Sequence, residues 1–216
     1  MLFAYDAQHW LTFLSAAVLL NIAPGPDLAF ILTHTARGGR KAGFAAMLGI
    51  WTGAFGHVLF AAIGLSALIV TSATAYSLVK YAGAAYLVWL GVQALRSKGA
   101  FSVDADPLGR NAPVAPLRRI FMQGALIDLL NPKVAIFFLA FLPQFVEPGA
   151  GDAPWQLLLH GTLIIAVSAF IEPPLVFMGG AIASKLRNSE RFCRWLDRSL
   201  GAFFLFLGAR LAVSER

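Results

Sequence analysis

The sequence predicts an all-α polytopic membrane protein, with six transmembrane helices arranged as a 3+3 inverted repeat in which helices 1 and 4 are broken. Three observations carry this expectation. Apolar residues make up 58% of the 216-residue chain and charged residues 13%, against roughly 45–50% and about 25% in soluble domains, so too little polar surface exists to cover a soluble core. The charges also leave long gaps, with none between Lys41 and Lys80 and none between Asp152 and Glu172. Finally, the two halves carry similar interruptions at matching places, as inverted-repeat transporters do. The composition excludes a disordered chain or a disulfide scaffold.

Six apolar stretches, at about 9–34, 42–70, 74–96, 119–145, 155–184 and 199–214, approach or exceed the roughly 20 residues a bilayer span needs. They lack period-2 alternation, so strands are not expected. The whole chain, 1–216, reads as one membrane domain: repeat 1 at about 9–96, a linker at about 97–118 and repeat 2 at about 119–214.

The first stretch contains Asn21-Ile22-Ala23-Pro24-Gly25-Pro26-Asp27. Two prolines remove backbone donors and the glycine between them loosens the chain, so the helix should break near mid-membrane. A new N-terminus starting at Pro26-Asp27 would offer free N–H groups and partial positive charge, a seat for a substrate carboxylate. The bland reading is a packing kink. A polar connection, Arg37-Gly38-Gly39-Arg40-Lys41, follows.

In the second stretch Ala45, Gly49, Gly53 and His57 recur every four residues and share one face. Small residues at that spacing permit close helix approach, which turns His57 inward, either as a hydrogen-bonded core histidine or as a proton relay. The third stretch leads into a linker with Asp104, Asp106 and three prolines. The fourth is interrupted by Asp128-Leu129-Leu130-Asn131-Pro132-Lys133, the counterpart of the first break. In the fifth, Glu172 precedes Pro173-Pro174, which should interrupt that helix too and leave Glu172 to cap its second segment or to face a cavity. The sixth starts near Leu200 or a turn earlier, near Trp195. Its Leu200-Gly201-Ala202-Phe203-Phe204-Leu205-Phe206-Leu207-Gly208 matches Tyr81 to Gly91 of the third with a small gap. Three spans per half make the second half enter from the opposite side.

Orientation follows from the basic residues. Arg37, Arg40 and Lys41, then Arg96, Lys98, Arg110, Arg118 and Arg119, then Lys185, Arg187, Arg191, Arg194 and Arg198 fall after the first, third and fifth stretches. The alternate connections are nearly bare. The positive-inside rule makes the basic segments cytoplasmic and places both termini outside. The net charge of +6 is then a topology signal with secondary contact to anionic lipid, and nucleic acid is not an expected partner. No basic n-region opens the chain, so a secretory signal is not expected.

A lone Cys193 and four histidines without HxxxH or HExxH spacing predict no transition-metal site and no redox pair. His9, His34 and His160 lie near span ends and read as interfacial. No Walker, GxSxG or strand-borne GxGxxG motif supports ATP-driven transport or an enzyme, and no cofactor is expected. Asp27, Asp128, Lys133 and Glu172 are the charges well inside spans, each costing about 2.5–3.5 kcal/mol on insertion scales. Either Asp27 or Asp128 pairs with Lys133 to hold the broken helices together, or the set faces a cavity that takes a proton or a ligand ammonium. With three acids to one base, at least one carboxyl lacks an internal basic partner and is a proton-carrier candidate. Asn21, Asn131 and Gln123 either line the same cavity or bond the broken backbone.

The residues also carry a resemblance. Pro24-Gly25-Pro26-Asp27, the run from Arg37 to Gly43 and on through Gly49, Gly53, His57 and Gly64-Leu65 resemble the LysE/RhtB family of amino-acid exporters. So do Gly83, Tyr86-Leu87, Leu90-Gly91, Asn131-Pro132-Lys133, Phe141-Leu142-Pro143-Gln144-Phe145-Val146, Gly201 and Gly208, in order along essentially the whole chain. The resemblance implies a bacterial inner-membrane exporter of an amino acid or close derivative, driven by the proton motive force, with a homodimer as one arrangement open to it. Asp27 and Lys133 match its motifs, whereas Glu172-Pro173-Pro174 does not belong to them. The alternative is an exporter of divalent cations or another small solute, for which three buried acids are the encouragement.

Overall fold

A computed structural model describes residues 5–22, 25–65, 73–96, 115–187 and 190–213. Among them no strand occurs. The elements in order are α1 (Ala7–Ile22), α2 (Pro26–Phe60) running into a π-helical turn (Ala61–Leu65), α3 (Ala73–Arg96), α4 (Leu117–Leu129), α5 (Pro132–Phe141) with a 3-10 turn (Leu142–Phe145), α6 (Ala153–Arg187) and α7 (Glu190–Val213). The expected linker lies mostly outside the described residues, as does Pro24.

Both expected helix breaks are present. The first stretch divides between α1 and the start of α2, and the fourth between α4 and α5, which meet at a 52° bend. Pro26 and Pro132 each occupy the first turn of the new helix, where a missing N–H is harmless.

Two expectations need correcting. The segment Arg37 to Lys41 is not a polar loop: it is helical on both sides of Gly39, whose φ of 70° and ψ of −170° leave the helix for one residue. That residue reverses the chain. A Cβ placed on Gly43 would meet the Thr35 side chain, although residues eight apart in a straight helix are separated by about 12 Å. A Cβ placed on Gly124 of α4 would likewise meet the Phe30 ring on one limb of α2 and the Ala46 carbonyl on the other. Glycine alone adopts such a φ/ψ pair without strain.

The second correction concerns Pro173 and Pro174, which sit inside an uninterrupted α6. Proline's fixed φ is helical. The rings remove only the donors to the carbonyls of Ala169 and Phe170, a loss that membrane helices tolerate. Glu172 is therefore no cap.

Helix pairing follows the small residues. The ridge Ala45-Gly49-Gly53-His57 packs on α4. A Cβ on Gly49 would meet the Phe121 carbonyl, one on Gly53 would come within 2.5 Å of the Ala125 carbonyl, and His57 reaches the Asp128 carbonyl. At Gly53 the obstacle is backbone, which cannot rotate away. Gly53→Val is therefore expected to destabilise the protein by about 1–3 kcal/mol through overpacking. Gly64→Ala, with nothing within 4 Å of the added carbon, should leave the thermal midpoint in detergent unchanged. On the other side α3 meets α7 where Gly91 and Gly201 each approach the other's carbonyl, at 2.8 Å from an added Cβ.

One core cluster joins α1, α5, α6 and α7 through Phe13, Phe137, Phe138, Phe141, Leu157 and Leu207, and a second joins the two limbs of α2 to α4 and α6 through Ile31, Ala46, Ile50, Ile120 and Val176. Polar residues such as Asp128 and Glu172 are buried, whereas large apolar side chains, Leu11, Ile63 and Phe170 among them, face outward. That distribution suits a lipid surround. The segment Pro26–Gly64, although folded back on itself at Gly39, and the segment Ala153–Met178 are each long and apolar enough to cross a membrane, and the bent pair Leu117–Leu129 with Pro132–Phe145 makes a third. Ala7–Ile22 and Gly201–Val213 are shorter apolar helices, because the first break leaves α1 with only part of a span.

Candidate functional site

The two breaks meet. Asparagine side chains satisfy part of the exposed backbone at each. Asn131 caps α5, its Oδ1 accepting from the Lys133 N–H at 3.0 Å, while its own N–H donates to the Asp128 carbonyl at 2.9 Å. The same carbonyl accepts from His57 Nε2 at 3.1 Å, so that nitrogen carries the hydrogen. Asn21 donates from Nδ2 to the Ala17 carbonyl at 2.8 Å and, across the seam, to the Ile164 carbonyl of α6 at 3.2 Å. Gly25 forms the N-terminal boundary of α2 without a side-chain cap.

Between the breaks lies a cavity of about 40 Å³. Asn21, Asp27, Asp128, Lys133 and Glu172 all line it, so residues separated by up to 151 positions converge on one space. Asn131 and His57 stand behind it, holding the α4–α5 break, and Gln123 is not among its lining. Asp128 and Glu172 are buried, while Asp27 and Lys133 are half-buried. Both Asp27 and Asp128 lie within electrostatic reach of Lys133. Oδ1 of Asp27, Oδ2 of Asp128 and Nδ2 of Asn131 are buried without a hydrogen-bond partner. Such atoms are rare in folded proteins. The space admits on the order of three waters.

Two lining residues with hydrogen-bonding side chains were not singled out from the sequence. Trp51 donates from its indole to Glu172 Oε2 at 2.7 Å, and Ser168 lies one turn before Glu172 on α6. Their signal was present: a tryptophan in mid-span rather than at a membrane interface, and a serine four residues before a buried acid. Glu172→Gln keeps an acceptor for the indole, whereas Trp51→Phe strands a buried carboxylate. Trp51→Phe is expected to lower stability by about 1–3 kcal/mol, and Glu172→Gln by clearly less, as read by thermal unfolding in detergent.

The three histidines that lie near span ends, His9, His34 and His160, are buried within the protein. His34 is buried against the Phe30 ring at 4.4 Å, and His9 and His160 are buried against each other. Aromatic rings from other elements cover His9 and His160, whereas the ring beside His34 lies on its own helix, one turn earlier. Among the described residues, no group of three or more histidines, cysteines or acids is placed to hold a metal ion.

Residues 18–215 match the family described as LysE type translocator. The chain is 30% identical over 208 residues to the homoserine/homoserine lactone efflux protein of Salmonella typhi, covering 96% of this chain and 98% of that one. It is 26% identical over 215 residues to the leucine efflux protein of Salmonella choleraesuis, with 98% of each chain covered. It is also 30% identical over 210 residues to a Vibrio cholerae protein named as an uncharacterized membrane protein, covering 97% and 99%. No solved structure matches.

Proposed function

Because the chain belongs to the LysE type translocator family, we propose that it exports an amino acid or a close derivative across the bacterial inner membrane, driven by the proton motive force. It is a transporter rather than an enzyme. The observation that carries the substrate class is the pairing, in one cavity, of Lys133 and the uncapped N-terminus of α2 with the unpartnered oxygens of Asp27 and Asp128. A zwitterion fits both: its carboxylate takes the N–H groups at the uncapped start of α2 and the Lys133 ammonium, and its ammonium takes the Asp27 and Asp128 oxygens. Relatives named for homoserine, homoserine lactone and leucine efflux agree with that class.

The working cycle is alternating access. Substrate enters from the cytoplasm, rests between the breaks and leaves outward, and proton uptake from the outer side weakens the ammonium contact. The helix pairings favour a 3+3 inverted repeat. The second limb of α2 lies on α4 as α6 lies on α1, and α3 with α7 forms the pair at the centre of the exchange. The basic segments then face the cytoplasm, with both termini outside.

A whole-cell efflux screen across amino acids, with and without a protonophore, tests this reading. Protection from one or a few amino acids or their toxic analogues, lost on adding the protonophore, is expected. Protection against metal salts instead would favour the cation-exporter alternative.

A further inference from the structure

A second polar cluster lies outside the cavity, at the far end of the seam between α1 and α6. His9 Nδ1 stands 2.7 Å from Glu147 Oε1, His9 Nε2 stands 2.8 Å from His160 Nε2, and His160 Nδ1 stands 2.8 Å from the Gln156 carbonyl. Tyr5, Trp10, Phe13 and Phe145 wall in the two rings. Gln156 braces the connection, donating to the carbonyls of Glu147 and Gly151 and accepting from the Glu147 N–H and the Tyr5 hydroxyl. The His9 and His160 rings are almost wholly buried, but the Glu147 side chain is 42% exposed.

The hydrogen bonds fix a proton count. A carbonyl only accepts, so His160 Nδ1 carries a hydrogen. If both imidazoles were neutral and Glu147 ionised, one contact would have to fail. Either two bare Nε2 lone pairs would face each other, or a bare Nδ1 would face a carboxylate. All three contacts hold only when the cluster carries one additional proton, on His160, His9 or Glu147. The other titratable groups around it are Tyr5 and Asp6, ahead of α1. Asp6 is occupied in accepting from the His9 backbone N–H at 2.7 Å. Burial and the Glu147 charge raise the Tyr5 hydroxyl above its ordinary value of 10.0, so it stays a donor to Gln156. Asp152 is exposed just ahead of α6.

We propose that His9, His160 and Glu147 form the site that takes up the coupling proton, and that its occupancy latches α1 to α6 at this end of their seam. The inference rests on the exporter reading. A proton arriving on the exposed carboxyl of Glu147 passes to His9 Nδ1, while the hydrogen on His9 Nε2 moves to His160 Nε2. The charge travels inward with no other atom gained or lost. His160 lies one helical turn, about 6 Å, from Ile164, which lines the cavity and holds Asn21 across the seam. With the proton gone, one contact of the three fails and the seam is free to part.

The test uses the full chain in lipid nanodiscs, with spin labels on Leu11→Cys and Trp155→Cys, both exposed positions, in a Cys193→Ser background. The distance distribution is measured at about pH 5.5 and about pH 8.5, which bracket histidine titration. A single short population is expected at the lower pH, falling at least about two-fold at the higher. His9→Gln with His160→Gln should abolish the pH response. Glu147→Gln gives the sharper outcome. Its amide donates to His9 Nδ1 and completes the network without an additional proton, so the short population should persist at both pH values. A distribution insensitive to pH in the parent, or one in Glu147→Gln that opens as the parent does, overturns the proposal. The distance needs no substrate, so loss of the efflux reading with an intact pH response would sink the exporter assignment while leaving the latch.

Discussion

Lys133→Ala should reduce proton-driven flux of the transported amino acid by about 30-fold or more, because truncating one partner of a buried charge set commonly costs 2–5 kcal/mol. The substitution removes the one cation that lines the cavity among the described residues and leaves Asp27 and Asp128 in the same lining without it. It therefore acts twice. The substrate carboxylate loses its counter-charge, and two carboxylates are left without the ammonium that offset them, so the folded state is weakened as well. Asp27→Asn separates the two effects. It removes the charge that would hold the substrate ammonium but buries a neutral amide in its place, so flux should fall about as far while the thermal midpoint moves less. Reconstituted vesicles with an imposed proton gradient read the flux, and unfolding in detergent reads the stability. If both variants kept full proton-driven flux, the zwitterion assignment would be wrong. A double variant adds a further check. Because the two side chains serve one ligand and one charge set, their losses should fall well short of additive.

Local chemistry made much of this site legible. A proline-glycine-proline run and an asparagine-proline pair each forbid continuous helix, and charges at those positions in a lipid-soluble chain have few places to go but toward one another. The small-residue ridge at 45, 49, 53 and 57 likewise specified which face of α2 turns inward, and it lies on α4. What was not legible depends on distant partners or on single dihedral angles. Arg37 to Lys41 has the composition of a loop, yet one glycine at positive φ reverses the chain while its neighbours stay helical. Pro173-Pro174 looks like a stop, but proline forbids donors rather than helical φ, and composition alone does not distinguish a continued helix from a break. The pairing of His9 with His160 joins residues 151 apart in sequence. Neither histidine's local neighbourhood hints at the other.

Gly25→Ala is expected to lower flux by about ten-fold or more while barely changing stability. The usual reason for glycine is absent here: its φ of −155° and ψ of 176° are extended backbone that alanine adopts freely. The constraint is what stands above it. A Cβ at this position would meet Asp27 Oδ1 and come within 3.2 Å of the Lys133 ammonium nitrogen. Both are the ends of flexible side chains, so they can swing aside with little strain, and the fold survives. They cannot swing aside and remain where a substrate ammonium and carboxylate need them. A displacement of about 1 Å in a positioning group is enough to cost on the order of 100-fold where geometry controls the step, so a ten-fold loss is the conservative expectation. The variant's unfolding midpoint and its flux should therefore dissociate, with Gly25→Ala near the parent in the first and near Asp27→Asn in the second. Parallel loss of both would mean that Gly25 serves the helix break itself, and unchanged flux would mean that Asp27 and Lys133 are not held over it during transport.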